Sequence, residues 1–290
     1  MHRLEDRVAR LLDARPLAWV RRSAAWQPAE AVAGGNDRFT VDLDDGRRVF
    51  VKAATGTHTA RWLRREAEVY AHLHGSFMPE LIAFEDDPLE PLLILEDLGD
   101  ADWDVRWDAA HVSAVRSALG AIAASSPPPN TPSVREMLAD FGRWADVEAD
   151  PEPFLSTGIR TREWLDRALP ILEAAADGAP IDGNELLHLD VRSDNLCFRD
   201  GRAILVDWNW CCTGPADFDV AAWLPSLARE GGPRPWEVLP GAGAYAAMLA
   251  GVWAAVVGLP PPPTAPTVRE GQRRQLEAAL AWCERELSLQ

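Results

Sequence analysis

Residues 186–224 read LLHLDVRSDNLCFRDGRAILVDWNWCCTGPADFDVAAWL. Two apolar runs, Leu186-Leu187 and Ala203-Ile204-Leu205-Val206, lead into carboxylates at Asp190 and Asp207, and the amide of Asn195 stands between them. Asp and Asn also favour turns through their own backbone hydrogen bonds, so the bare alternative is an ordinary loop and hairpin. Placement between apolar runs, and the residues upstream, decide between the two readings.

Phosphoryl transfer needs these three groups. An Asp facing an acceptor hydroxyl orients it and takes its proton, while an Asn and a second Asp offer hard oxygen ligands for magnesium beside the phosphates. The arrangement His188-x-Asp190-x4-Asn195 followed by Asp207 supplies all of them. It resembles the aminoglycoside phosphotransferase family, which shares a fold with choline kinases and, more remotely, protein kinases. The resemblance implies that Asp190 is the catalytic aspartate, His188 a brace for its loop, and Asn195 and Asp207 the metal ligands. It also implies that Asp219 is a buried acid bracing the same loop, with Trp223 and Leu224 on the core side of the next helix. Two positions depart from the commonest family form, which has Gly after the His and His or Trp two positions after the Asp. Here they are Leu189 and Arg192, and Arg192 falls near the acceptor, so the family name does not fix the substrate.

Upstream, Phe39, Val41 and Leu43 alternate with polar residues, an Asp44-Asp45-Gly46 turn follows, and Val49-Phe50-Val51 forms another strand. Before them stands Gly34-Gly35-Asn36, which reads either as a plain hairpin turn or as a loop offering backbone N–H groups to nucleotide phosphates. Lys52, at the end of VFVK, is the only lysine, set against 28 arginines. A compact ammonium on a flexible stem fits between phosphates where a guanidinium fork fits poorly. The run TARWLRREAEVYAHLH, residues 59–74, has helical spacing with Glu66 in its middle. By resemblance Glu66 pairs with Lys52; Glu68 is the competitor. Phe77 to Phe84 and Pro91 to Leu95 read as further strands, and the resemblance implies that Glu96 and Leu98 occupy the hinge positions whose backbone reads an adenine edge.

Beyond Gly99 helical patterns cover 109–124, 134–147, 161–176 and 272–287. The implied architecture is α+β and bilobal: a small antiparallel-sheet lobe with one helix, residues 1–98, and a larger, mostly helical lobe, residues 99–290. A short amphipathic helix opens the chain. Gly241 to Leu259 carries no charge over 19 residues, and its Ala and Gly content favours a buried helix over a membrane span.

The 290 residues contain 45 acids and 29 Lys and Arg, a formal charge of -16. That balance repels nucleic acid and anionic membranes and would draw a cationic acceptor, or it serves solubility alone. The acidic run Asp146, Glu148, Asp150 and Glu152 could attract an amino sugar or simply face water. Four cysteines without C-x-x-C spacing argue against disulfides and zinc and fit a cytoplasmic setting. The sequence thus predicts an ATP- and Mg2+-dependent kinase for a small-molecule hydroxyl, an aminoglycoside-like antibiotic or amino sugar. A sugar, a choline-like amino alcohol or a fructosamine are the alternative acceptors, and a non-catalytic nucleotide-binding module is the alternative class. Protein kinase activity is disfavoured because no D-F-G or A-P-E pattern is read and little chain separates Asp207 from the next helix in which to build an activation segment.

Overall fold

The computed structural model describes residues 2–22, 36–263 and 265–289. It comprises two compact units, Met1–Asp104 with Asp194–Asn209, and Val105–Ser193 with Trp210–Gln290. The sequence reading divides the chain at residue 98; by compactness the first unit continues to Asp104 and includes a later hairpin segment.

The first unit opens with helix α1 (His2–Leu12) and strands β1 (Pro16–Arg22), β2 (Asp37–Leu43) and β3 (Arg48–Ala53), then helix α2 (Thr57–His72) and strands β4 (Leu81–Glu85) and β5 (Leu92–Glu96). The strands form one antiparallel sheet in the order β1-β2-β3-β5-β4. Because side chains alternate across a strand, Phe39, Val41 and Leu43 fall on one face with Val49, Val51, Leu92 and Ile94. There they pack with Val8 and Leu12 of α1 in a single core. Each such fully buried side chain contributes about 1.5–3 kcal/mol. The opposite face carries Arg38, Thr40, Lys52, Leu93 and Leu95, the intervening positions of the same strands.

Helix α2 packs against β4 and β5. Its N-terminus is satisfied by Thr59, whose Oγ1 accepts the Thr55 and Gly56 N–H groups at 2.9 and 3.0 Å. Its buried residues, Thr59, Leu63, Glu66 and Tyr70, recur at helical spacing. Glu66 therefore sits in the middle of the apolar stripe, whereas Glu68 is exposed.

The second unit runs through α3 (Ala109–Ala123), α4 (Val134–Met137), α5 (Trp144–Ala149), α6 (Glu152–Ser156), α7 (Arg162–Asp177) and β6 (Glu185–Leu187). The hairpin β7 (Leu196–Arg199) and β8 (Arg202–Leu205) belongs to the first unit. Its Asp200-Gly201 turn has φ of 52° and 73° at the two central residues, the backbone that an Asp-Gly pair adopts readily. Strand β9 (Cys212–Gly214) and helices α8 (Ala216–Arg229), α9 (Pro235–Val238), α10 (Gly243–Ala254) and α11 (Val268–Glu286) complete the second unit.

One expected element is corrected. Residues 134–147 do not form a single helix: α4 ends at Met137 and α5 begins at Trp144. Between them Gly142 approaches Ala255 so closely that an added Cβ would lie 2.3 Å from the alanine Cβ. Asp146 then starts α5 by accepting the Arg143 N–H at 2.7 Å. The opening amphipathic helix expected from the sequence is α1, and α2 is the helix of the sheet lobe.

Helix α10, the uncharged segment, packs against α5, α7, α8 and α11, and the Trp144 indole donates to the Ala247 carbonyl at 2.7 Å. Among the described residues no helix is long and apolar enough to cross a membrane.

Candidate active site

In the first unit, β3 delivers Lys52 and the stripe of α2 delivers Glu66 to the same sheet face. Lys52 Nζ lies 2.5 Å from Glu66 Oε1 and 3.0 Å from Asp207 Oδ1. The lysine is 3% exposed and the glutamate 0%. Burial pushes the Glu66 carboxyl up, the neighbouring ammonium of Lys52 pulls it down, and burial prevails. Two carboxylates around one ammonium fix the direction in which it points.

Asp207 follows β8 with φ of 69°, a left-handed conformation that a non-glycine residue adopts at a cost of about 1–3 kcal/mol. Its Oδ1 also accepts from the Asn209 amide at 2.9 Å, and its Oδ2 lies 3.6 Å from Arg38 Nη2. The buried Asn195 precedes β7, and its carbonyl accepts the Val206 N–H at 2.9 Å, tying the two ends of the hairpin together. Glu96 carries an ion pair to Arg199. The Leu98 carbonyl accepts the Ala101 N–H at 3.1 Å and the Trp103 indole N–H at 2.9 Å. Gly34 and Gly35 lie outside the described residues; Asn36 is half-buried at the start of β2, its Oδ1 without a hydrogen-bond partner among the described residues.

In the second unit, β6 pairs with β9 and ends at Leu187, which brings His188, Leu189 and Asp190 to the first turn of α8. Asp219, 2% exposed, accepts the backbone N–H groups of His188 and Leu189, each at 2.8 Å. Leu189, in the position where the family form has Gly, has φ of 65°. His188 Nδ1 accepts the Asp190 N–H at 3.3 Å, which sets the loop around the buried imidazole. Arg192 Nη1 stands 3.5 Å from Asp190 Oδ1. Burial pushes Asp219 up to about 6 against the downward pull of its two N–H donors.

Arg38 and Asn209, absent from the sequence-based site, both meet Asp207. Arg38 is the direct cross-strand partner of Lys52, a relation legible only once the β2–β3 register is known. The turn at Asp44-Asp45-Gly46 and the alternation of Phe39, Val41 and Leu43 carried that signal. The acidic run divides into exposed local contacts: Asp146 caps α5 and Glu152 pairs with Arg162. The reading that the chain has no D-F-G is corrected: Asp140-Phe141-Gly142 is one, but it lies far from Asp207 in sequence, in the α4–α5 turn, with the Phe141 ring edge-on to Trp210. All four cysteines are buried and outside any disulfide, and burial pushes Cys197 up to about 12, so it offers no thiolate at neutral pH.

Asn195 and Asp207 present only oxygen donors, one amide and one carboxylate, the set that suits magnesium when phosphates and water complete its shell. The orphaned Oε2 of Glu66 and Oδ1 of Asn209 add unpaired acceptors to the same buried cluster among the described residues.

Among curated proteins no sequence relative matches the chain. Solved structures do. A choline/ethanolamine kinase family protein from Mesorhizobium loti aligns with TM-score 0.54 and 14% identity, over 93% of this chain and 88% of its own. A macrolide 2'-phosphotransferase from Brachybacterium faecium aligns with TM-score 0.51 and 16% identity, over 97% and 96%. At such identities the likeness is one of fold. The model of the phosphotransferase enzyme family matches residues 28–256. The chain therefore belongs to the phosphotransferase enzyme family.

Proposed function

We propose that the protein transfers the γ-phosphoryl group of ATP to a hydroxyl of a small molecule. The observation that carries this reading is Lys52, the sole lysine, held by Glu66 and Asp207 at 2.5 and 3.0 Å. An ammonium fixed in this way has its direction set before any nucleotide arrives, which is electrostatic preorganisation.

Lys52 binds the nucleotide phosphates, and Glu66 aims it. Asn195 and Asp207 would hold magnesium, whose chemistry when bound is to offset the charge on the phosphate oxygens. Asp190 accepts a hydrogen bond from the acceptor hydroxyl, orients its oxygen toward the γ-phosphorus and takes the proton on its carboxylate as the new O–P bond forms and the bond from that phosphorus to the bridging oxygen breaks, ADP leaving with the bridging oxygen. Asp219 and His188 fix the loop that presents Asp190. No nucleophile from the chain is needed, since positioning and charge stabilisation supply the acceleration. The acceptors are aminoglycoside-like antibiotics or amino sugars in the first place, which the charge of -16 attracts.

The test is phosphate transfer from ATP across aminoglycosides, amino sugars, hexoses, choline-like amino alcohols and fructosamines. Asp190→Ala should keep its nucleotide affinity within about twofold and lose transfer by about 10²–10⁴-fold, the range of general-base catalysis. Full turnover by this variant would remove Asp190 from the role of base. Wild-type nucleotide binding without transfer to any acceptor would point instead to a binding module.

A further inference from the structure

The face of the sheet that carries Lys52 also carries two arginines in line with it. The register pairs Arg22 of β1 with Arg38 of β2, and Arg38 with Lys52 of β3. Directly paired residues of neighbouring strands project on the same side, with Cβ atoms about 4.5–5.5 Å apart. Three cations thus form one row across three strands. Like charges opposite one another destabilise a sheet, so such a row requires anions.

Among the described residues, carboxylates answer this row unevenly. Glu66 and Asp207 Oδ1 both serve Lys52. Among the described residues Arg38 pairs with the Oδ2 of Asp207, at 3.6 Å, an ion pair longer than a hydrogen bond. Its side chain is nonetheless 13% exposed, so water does little for its donors. Arg22 turns its Nε to the neutral Thr40 hydroxyl at 3.0 Å. A largely covered planar fork whose ion pair among the described residues is one loose contact, to a carboxylate that is itself a metal-ligand candidate, has N–H donors to offer an anion.

We propose that Arg38 is a second phosphate-binding residue: beside Lys52 it takes the nucleotide's polyphosphate chain, and Arg22 extends the row at its exposed end. The inference rests on the nucleotide reading of the preceding section and adds to it how this chain grips the donor. A guanidinium gives two parallel N–H bonds to a phosphate where an ammonium acts as a point charge, so Arg38 and Lys52 make different contacts on the same chain of phosphates. Asp207 would hold magnesium with Asn195, and the Arg38 fork, whose contact to Asp207 Oδ2 is 3.6 Å, would then take phosphate oxygens as its acceptors.

Calorimetric titration of the full chain with ATP, ADP and adenosine, with and without magnesium chloride, tests this. Arg38→Gln should weaken ATP and ADP by about 10- to 100-fold, the worth of a charge-assisted bidentate contact, and change adenosine by less than about twofold. Arg38→Lys, which keeps the charge and loses the fork, should fall between. It also provides the same readout should the glutamine variant fail to fold. Equal losses for ATP and adenosine would assign Arg38 a structural role and overturn the proposal. So would wild-type affinity for ATP in Arg38→Gln. A wild-type protein that binds none of the three would overturn the nucleotide reading itself, and the proposal with it.

Discussion

Replacing Asp219 by Asn should separate loop geometry from stability. The carboxylate accepts two backbone N–H groups at 2.8 Å, and an amide of the same shape keeps one acceptor while turning an NH2 toward the other N–H. Losing one charge-assisted bond costs about 1.5–3 kcal/mol. Against that, burial has pushed Asp219 from 3.8 up to about 6. That gap of about two pH units means that ionising the buried group costs the folded state about 3 kcal/mol at neutral pH, which the neutral Asn escapes. The two terms oppose and are of similar size, so Asp219→Asn should melt within a few degrees of the wild type at pH 7.5. Activity should not survive so well. The N–H left unanswered by Asn frees Leu189 from its left-handed φ of 65°, and Asp190 is the next residue. A displacement of about 1 Å at a catalytic group costs about 10²-fold, so turnover should fall by that order while ATP affinity holds. The pH dependence gives a second reading. The folded carboxyl binds its proton more tightly than the unfolded one, so its contribution to stability is full below about 3.8 and lost as pH rises through about 6. Asp219→Asn should therefore gain on the wild type in stability above pH 6 and lose that advantage toward pH 4. Protonation near 6 also weakens the acceptance of both N–H groups, so wild-type turnover should decline on the acid side there and the variant's decline should not track it. Thermal melts, calorimetry and a pH–rate profile suffice; a variant with wild-type turnover and an unchanged acid limb would refute the brace.

Glu66→Gln keeps the size of the side chain but removes the charge that orients Lys52 at 2.5 Å. Breaking a buried pair from one side costs about 3–5 kcal/mol, reduced here because burial already disfavours the charged Glu66. A lowered melting temperature and roughly tenfold weaker ATP binding by calorimetry are expected, and unchanged affinity would argue that Asp207 alone directs the lysine. Arg192→Ala removes a guanidinium 3.5 Å from Asp190 that is about one-quarter exposed. A partly solvated pair of that kind shifts KM for the acceptor by a few-fold, with KM for ATP constant. Cationic acceptors should improve and anionic ones worsen; a uniform change in KM for both would place Arg192 away from the acceptor.

What the sequence disclosed and what it withheld follow from the range of the forces involved. Lys52 was legible as the sole lysine, closing the strand VFVK, and Glu66 through the family resemblance; their meeting rests on local periods, alternation along β3 and the buried stripe Thr59, Leu63, Glu66, Tyr70 along α2. That stripe also decides against Glu68, which falls on the exposed side. The break between α4 and α5 was less legible, because residues 134–147 are locally acceptable as helix. It is imposed from far along the chain, where Ala255 leaves no room for a side chain at position 142. Arg38 belongs to a third kind. Its strand was read correctly, yet its partner depends on pairing, and a slip of one residue would turn it to the α1 face with Phe39 and Val41. With the Leu43 N–H bonded to the Arg47 carbonyl at 2.9 Å, the hairpin has one register, and Arg38 stands opposite Lys52. The second cation beside Lys52 is thus set by the four-residue connection Asp44–Arg47. Lengthening it by one residue would shift the pairing and, in the same step, take Arg38 off Asp207.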